Sequence, residues 1–113
     1  MKRVAEIKVG NPLESEDVLY GPMISERFYD RFMEHYAMAE ADGAKMLSDK
    51  MGRRTSDDQP AGCAGTPEHG AYVWPTIWDG VTMDMNIAQT EVFGPTINLV
   101  EVDGFEEALA AAN

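Results

Sequence analysis

The stretch from Glu26 to Asp42 constrains the fold more than any other, because its apolar residues recur at helical spacing between a good helix start and a good helix stop. Phe28, Phe32, Tyr36 and Ala39 share one face, flanked by Tyr29, Met33 and Ala37, while Glu26, Asp30, Glu34 and Glu40 take the opposite side. Ser25 is suited to cap the N-terminus, and Ile24 and Tyr29 have the spacing of a hydrophobic staple across it. Glu26 adds negative charge where the helix dipole favours it. Gly43 is the expected stop, since glycine enters the left-handed region without a Cβ penalty. One long amphipathic helix follows, with one face packed, the other solvated and His35 along its flank.

The remaining elements are shorter. Met1 to Val9 reads as the end of a helix or a short strand, Asn11-Pro12 marks a turn, and Glu14 to Tyr20 is an acidic loop. Lys45 to Ser48 alternates enough for a short strand. Ala71 to Trp78 is rich in aromatic and β-branched residues and reads as another, with Pro75 implying an edge position or a bulge. Met83 to Gln89 fits a short helical turn. Thr96 to Val102 alternates Ile97, Leu99 or Val100, and Val102 with polar residues, so a further strand is expected. Asp103 and Glu106 have capping-box-like spacing for a last helix carrying Phe105, Ala108, Leu109 and Ala112. Residues 49–70 hold Arg53-Arg54, Asp57-Asp58, Pro60 and Pro67 with little apolar to bury, and read as an exposed, mobile loop, an insertion rather than a binding loop. The expected class is α/β: the long helix, two to four strands and a short C-terminal helix, in one unit spanning 1–113.

A chain of 113 residues is one domain at most, able to bury roughly 65% of its extended surface if it folds alone. Eight methionines suit a core better than a docking surface. The formal charge of −11 repels phosphate backbones and anionic lipid, which argues against nucleic acid and membrane surfaces as partners. No apolar run approaches the roughly 20 residues that span a bilayer, and the N-terminus lacks the apolar core of a signal peptide. A single cysteine forbids an internal disulfide and agrees with a reducing compartment. A cytoplasmic location is expected.

The run Thr90-Glu91-Val92-Phe93-Gly94-Pro95 places a carboxylate and an aromatic ring two residues apart before a Gly-Pro turn. A carboxylate such as Glu91 can accept two hydroxyl donors at once; the alternative is a solvated loop carboxylate. Phe93 offers a flat face to a sugar or an aromatic ring; the alternative is a core Phe at the base of a strand. Cys63 sits in the irregular Pro60-to-Gly65 stretch with His69 as its sole nearby candidate base, and reads as a free surface thiol rather than a nucleophile. His35 and His69 are too far apart for a metal spacing, and Asp57-Asp58 and Glu106-Glu107 read as solvated surface. No phosphate-cradling glycine loop is present, because Gly62 and Gly65 neither follow a strand nor precede a helix.

The 90–95 run closely resembles the cofactor-contact motif of the NAD(P)-dependent aldehyde dehydrogenases, and other landmarks of that family occur in order. Lys8-Val9-Gly10-Asn11-Pro12, Gly21-Pro22-Met23-Ile24-Ser25, Gly43-Ala44-Lys45, Tyr72 to Ile77 around Pro75-Thr76, and Ala108 to Asn113 are each similar to a family segment, so the resemblance covers nearly the whole chain. It implies a partial aldehyde dehydrogenase-like catalytic domain in which Glu91 holds the nicotinamide ribose hydroxyls of NAD or NADP and Phe93 packs beside the same ribose and ring. In the family the dinucleotide-binding domain and the catalytic cysteine lie upstream of the matching segment. The resemblance therefore implies an internal piece of an enzyme that oxidises aldehydes to carboxylic acids, inactive as an isolated chain, with no catalytic residue and no bound cofactor of its own. Self-association, the simplest form being a homodimer, or docking to the remainder of such an enzyme are the expected partnerships. The alternative function is a non-catalytic module acting through such contacts.

Overall fold

The computed structural model describes residues 4, 6–13, 15–55 and 70–113. The order of elements is α1 (Glu26–Asp42), β1 (Lys45–Met46), β2 (Thr76–Asp79), α2 (Asn86–Gln89), β3 (Thr96–Asn98) and α3 (Phe105–Ala112). This is the expected α/β arrangement of one long helix, a small mixed sheet and a short C-terminal helix.

Helix α1 occupies the span that its periodicity predicts. Its start differs from expectation: Ser25 makes no side-chain cap bond, and its carbonyl instead accepts the N–H groups of Phe28 and Tyr29, each at 3.1 Å. Ile24 is 83% exposed, so no staple forms. Its end is as expected. Gly43 has φ 85°, its N–H donates to Glu40 O at 3.1 Å, and the N–H of Ala44 donates to Ala39 O at 3.0 Å, the paired bonds of a Schellman stop. Phe32, His35, Tyr36 and Ala39 are the buried residues. The packed stripe is thus turned toward His35, which lies in the core side of the helix and not on its flank.

The sheet has the order β1-β2-β3. β1 and β2 are antiparallel, with Lys45 opposite Asp79 and Met46 opposite Trp78. β2 and β3 are parallel, with Thr76, Ile77 and Trp78 opposite Thr96, Ile97 and Asn98. A parallel pair needs a crossover, and the crossover here carries α2, which packs on α1. The Asp42 carboxylate at the end of α1 accepts the Ile87 N–H at 2.9 Å and Asn86 Nδ2 at 2.8 Å, pinning α2 to it.

Phe32, Tyr36, Ala39, Val73, Trp78, Val81 and Ile87 form the core. The rings of Phe32, Tyr36 and Trp78 stand edge to face in file, with centroids 5.2 and 5.5 Å apart, contacts worth about 0.5–1.5 kcal/mol each beyond their buried area. The Tyr36 hydroxyl, deep in this file, bonds to Thr76 Oγ1 at the start of β2. Burial pushes the Tyr36 phenol pKa up, opposed by that bond.

Four further expectations change. Pro75 marks neither an edge strand nor a bulge: it ends an irregular run bridged at Ala71 and Val73, and the central strand β2 begins after it. β3 faces opposite to its apolar pattern, with Ile97 at 57% and Leu99 at 43% exposed, because Thr96 and Asn98 take the inward positions. Asn98 Nδ2 donates to Ile87 O there at 2.9 Å. α3 buries none of its residues; Phe105 is 76% and Leu109 47% exposed. Its N-terminus is fastened by Glu107 rather than Glu106: the Glu107 carboxylate accepts the Asp103 N–H at 2.6 Å.

The opening of the 49–70 segment is also not a free loop. Gly52 is buried, Arg53 bridges Val73, and Arg54 is 1% exposed, donating from Nη1 to Val9 O at 3.0 Å with its guanidinium 4.7 Å over the Trp74 ring. Val9 in turn bridges Tyr20, so the N-terminal segment is anchored through Arg54. The expectations for Cys63, His69 and Asp57-Asp58 lie outside the described residues. Arg54→Ala is expected to lower the unfolding free energy by about 2–3 kcal/mol, through lost packing and a charge-assisted bond; chemical denaturation checks this, and a neutral effect would return the segment to a solvent loop.

Candidate functional site

Residues 90–95 run from the end of α2 to the start of β3 and cross the N-terminal half of α1 on the way. What lets them cross so closely is Gly94. A Cβ built there would sit 2.4 Å from Phe32 Cδ2 and 2.6 Å from Cε2, closer than atoms can approach. The glycine backbone therefore lies flat on the Phe32 ring. On the far side, the Thr76 N–H donates to Pro95 O at 2.9 Å and the Thr96 N–H to Gly94 O at 2.9 Å, so the turn is fixed to the sheet.

This clamp opens a cleft of about 80 Å³ between α1 and the 90–93 backbone. Phe28, Arg31 and His35 line its helix side, and Glu91, Val92 and Phe93 line the other. Glu91 and Phe93, the two residues singled out in the sequence, thus share one concave surface. Glu91 is exposed, and no other described residue makes a hydrogen bond or ion pair with it. Phe93 is 64% exposed, so it is not the core Phe of the alternative reading. Its ring meets Phe28 edge to face at 6.1 Å and 88°, a contact that steadies the ring and leaves area open to solvent.

His35 and Phe32, read in the sequence only as helix residues, are part of this wall. His35 is 3% exposed, and neither ring nitrogen has a hydrogen-bond partner among the described residues. Desolvation holds its imidazole below the ordinary value of 6.5, partly offset by the Asp42 carboxylate. No group of three or more metal-ligating side chains is assembled among the described residues. None of the described helices is long and apolar enough to cross a membrane.

The model of the aldehyde dehydrogenase family matches residues 1–113. The chain belongs to that family. This aldehyde dehydrogenase segment is 37% identical over 113 residues to the α-ketoglutaric semialdehyde dehydrogenase of Bacillus subtilis, covering 100% of the chain and 21% of that protein. It is 36% identical over 108 residues to malonate-semialdehyde dehydrogenase 2 of Geobacillus kaustophilus, covering 96% and 20% respectively. Among solved structures, betaine aldehyde dehydrogenase of Staphylococcus aureus in complex with NAD+ superposes with a TM-score of 0.83 at 29% identity, over 99% of this chain and 20% of that one. A variant of aldehyde dehydrogenase C of Pseudomonas syringae, in complex with NAD+ and octanal, gives 0.80 at 30% identity over 99% and 21%. The chain spans about a fifth of the length of these relatives.

In the aldehyde dehydrogenase segment the glycine of the 90–95 run has a steric duty that sequence alone only hints at, through its position between Phe93 and Pro95. Gly94→Ala is expected to cost about 1–3 kcal/mol by forcing the turn off Phe32. Combining it with Phe32→Leu should recover part of that loss, since the two positions are in contact. Denaturation of the two single variants and the double variant measures the coupling, and simple additivity would contradict the clamp.

Proposed function

We propose that this chain is part of the catalytic domain of an NAD(P)-dependent aldehyde dehydrogenase, an oxidoreductase that converts an aldehyde to a carboxylic acid, and that it supplies one wall of the nicotinamide-ribose site. The observation that carries the reading is the pairing of an unengaged Glu91 carboxylate with a steadied, exposed Phe93 ring on one cleft. A carboxylate acceptor beside an apolar ring fits a ribose with two hydroxyl donors. Glu91 would accept its two hydroxyl protons, and Phe93 would limit how the attached ring tilts, which together orient a nicotinamide. When bound, the nicotinamide supplies the hydride-accepting chemistry. Solved relatives hold NAD+, and this supports NAD or NADP as the cofactor of the intact enzyme.

The cleft of about 80 Å³ is well below the several hundred Å³ in which small molecules are enclosed. A wall of that size orients a ligand held mainly elsewhere, so we read residues 1–113 as a contributor to a larger catalytic domain, inactive alone, working in the cytoplasm. Purified chain mixed with NAD+ and an aldehyde should give no NADH absorbance. In an intact enzyme that carries this segment, Glu91→Gln should weaken NAD+ binding about 10–100-fold, the range of a lost charge-assisted bond pair. Aldehyde-dependent NADH formation by this chain that Glu91→Gln abolishes would overturn the reading.

A second reading, a non-catalytic module that self-associates, is favoured by a separate observation. β3 is an end strand of the sheet, and Ile97, Leu99, Phe105 and Leu109 on β3 and the segment after it are all exposed, the kind of surface that invites a partner. A homodimer or docking onto the rest of an aldehyde dehydrogenase would cover it. Sedimentation should then show a concentration-dependent rise in mass, and a compact monomer at high concentration would count against it.

A further inference from the structure

We propose that His35 is a proton-sensitive latch between α1 and residues 90–93, such that a proton on its ring lifts that segment and widens the cleft carrying Glu91 and Phe93. The consequence for a bound cofactor rests on the reading of Glu91 and Phe93 given above; the latch itself does not. His35 lies at the seam, lining the cleft together with Thr90, Glu91, Val92 and Phe93 from across it. Its ring is 3% exposed among Phe28, Phe32, Met38 and Val92, with no hydrogen-bond partner among the described residues.

A neutral imidazole survives such a site at modest cost, whereas an imidazolium needs water or a carboxylate. The charged groups around it offer little while residues 90–93 lie on the helix. On its own helix, Arg31 has like charge and Glu34 is exposed on the rim. Asp42 is already engaged by the Ile87 N–H and Asn86 Nδ2, so turning it to His35 would release α2. α2, the element packed on α1, carries no titratable side chain. The 90–93 segment brings Glu91, which points to solvent. Either water or Glu91 reaches the buried ring nitrogens only if residues 90–93 leave the helix, and a Glu91 drawn inward is no longer available to a ligand.

Desolvation is the main cause of the depressed His35 pKa. Because the folded value lies below the unfolded one, the neutral-state contribution is intact above about 6.5 and is lost as pH falls through the folded value.

The test is a pH titration of the chain by NMR, following the His35 ring carbon, assigned by comparison with His35→Phe and with His69 as internal reference. The His35 midpoint is expected below 6.5, and the Thr90, Glu91 and Phe93 amides should shift with that same midpoint. In His35→Phe, where no ring titrates, the amide step should vanish. Amides that stay still through the His35 transition, a midpoint at or above 6.5, or an amide step retained in His35→Phe would each overturn the latch. Should the variant fail to fold, the wild-type midpoints still decide between a shared and a separate transition. Repeated with NAD+ in an intact enzyme that carries this segment, binding should be lost below the midpoint in the wild type alone; NAD+ affinity unchanged there by Glu91→Gln would count against the cofactor reading, with the latch still judged by the amides.

Discussion

The hydroxyl of Tyr36 meeting Oγ1 of Thr76 is the bond on which the rest is hung. It joins the middle of the long helix to the first residue of the central strand. Thr76 then passes the constraint on, pairing with Thr96 and donating its N–H to Pro95 O. One residue thereby sets the distance between helix, sheet and the Gly-Pro turn. A buried hydroxyl pair is expensive to leave unmade, so the helix cannot rotate about its axis without breaking it. Such a rotation would also disturb the aromatic file of Phe32, Tyr36 and Trp78, whose rings fill the space between the same elements.

From that fixed helix the candidate site is built by contact rather than by long-range design. Phe32 is the floor on which Gly94 lies, and Phe28, one turn earlier, steadies Phe93. The carboxylate of Glu91 projects from the same crossing. Separation in the chain is large, since residue 32 and residue 94 belong to opposite halves, and the parallel pairing of β2 with β3 is what brings them together. The sheet is therefore small in area yet decisive for where the two candidate residues stand.

Much of this was legible in the sequence because it rests on local rules. The helix span, its glycine stop, the short turn at α2 and the prominence of Glu91 and Phe93 all follow from periodicity or from motif resemblance. What was not legible depends on partners distant in the chain. His35 reads as a polar flank until the stripe is seen to turn toward Val92. Arg54 reads as a loop charge until Val9 and Trp74 are found around it. In β3 the alternation of Ile97 and Leu99 suggests an inward apolar face, yet Thr96 and Asn98 face inward instead, with Asn98 bonded to the Ile87 carbonyl. Ser25 has the right chemistry for a cap but leaves its hydroxyl unused, since its own carbonyl serves the first turn.

The bare backbone of Gly94 pressed on the Phe32 ring makes the side chains permitted at two distant sequence positions depend on each other. A bulky ring at 32 tolerates nothing larger than hydrogen at 94, and a side chain at 94 would demand a smaller residue at 32. Substitutions at these two sites should accordingly co-vary among homologous chains. Drift in the hydrophobic interior is then restrained by the shape of the surface above it.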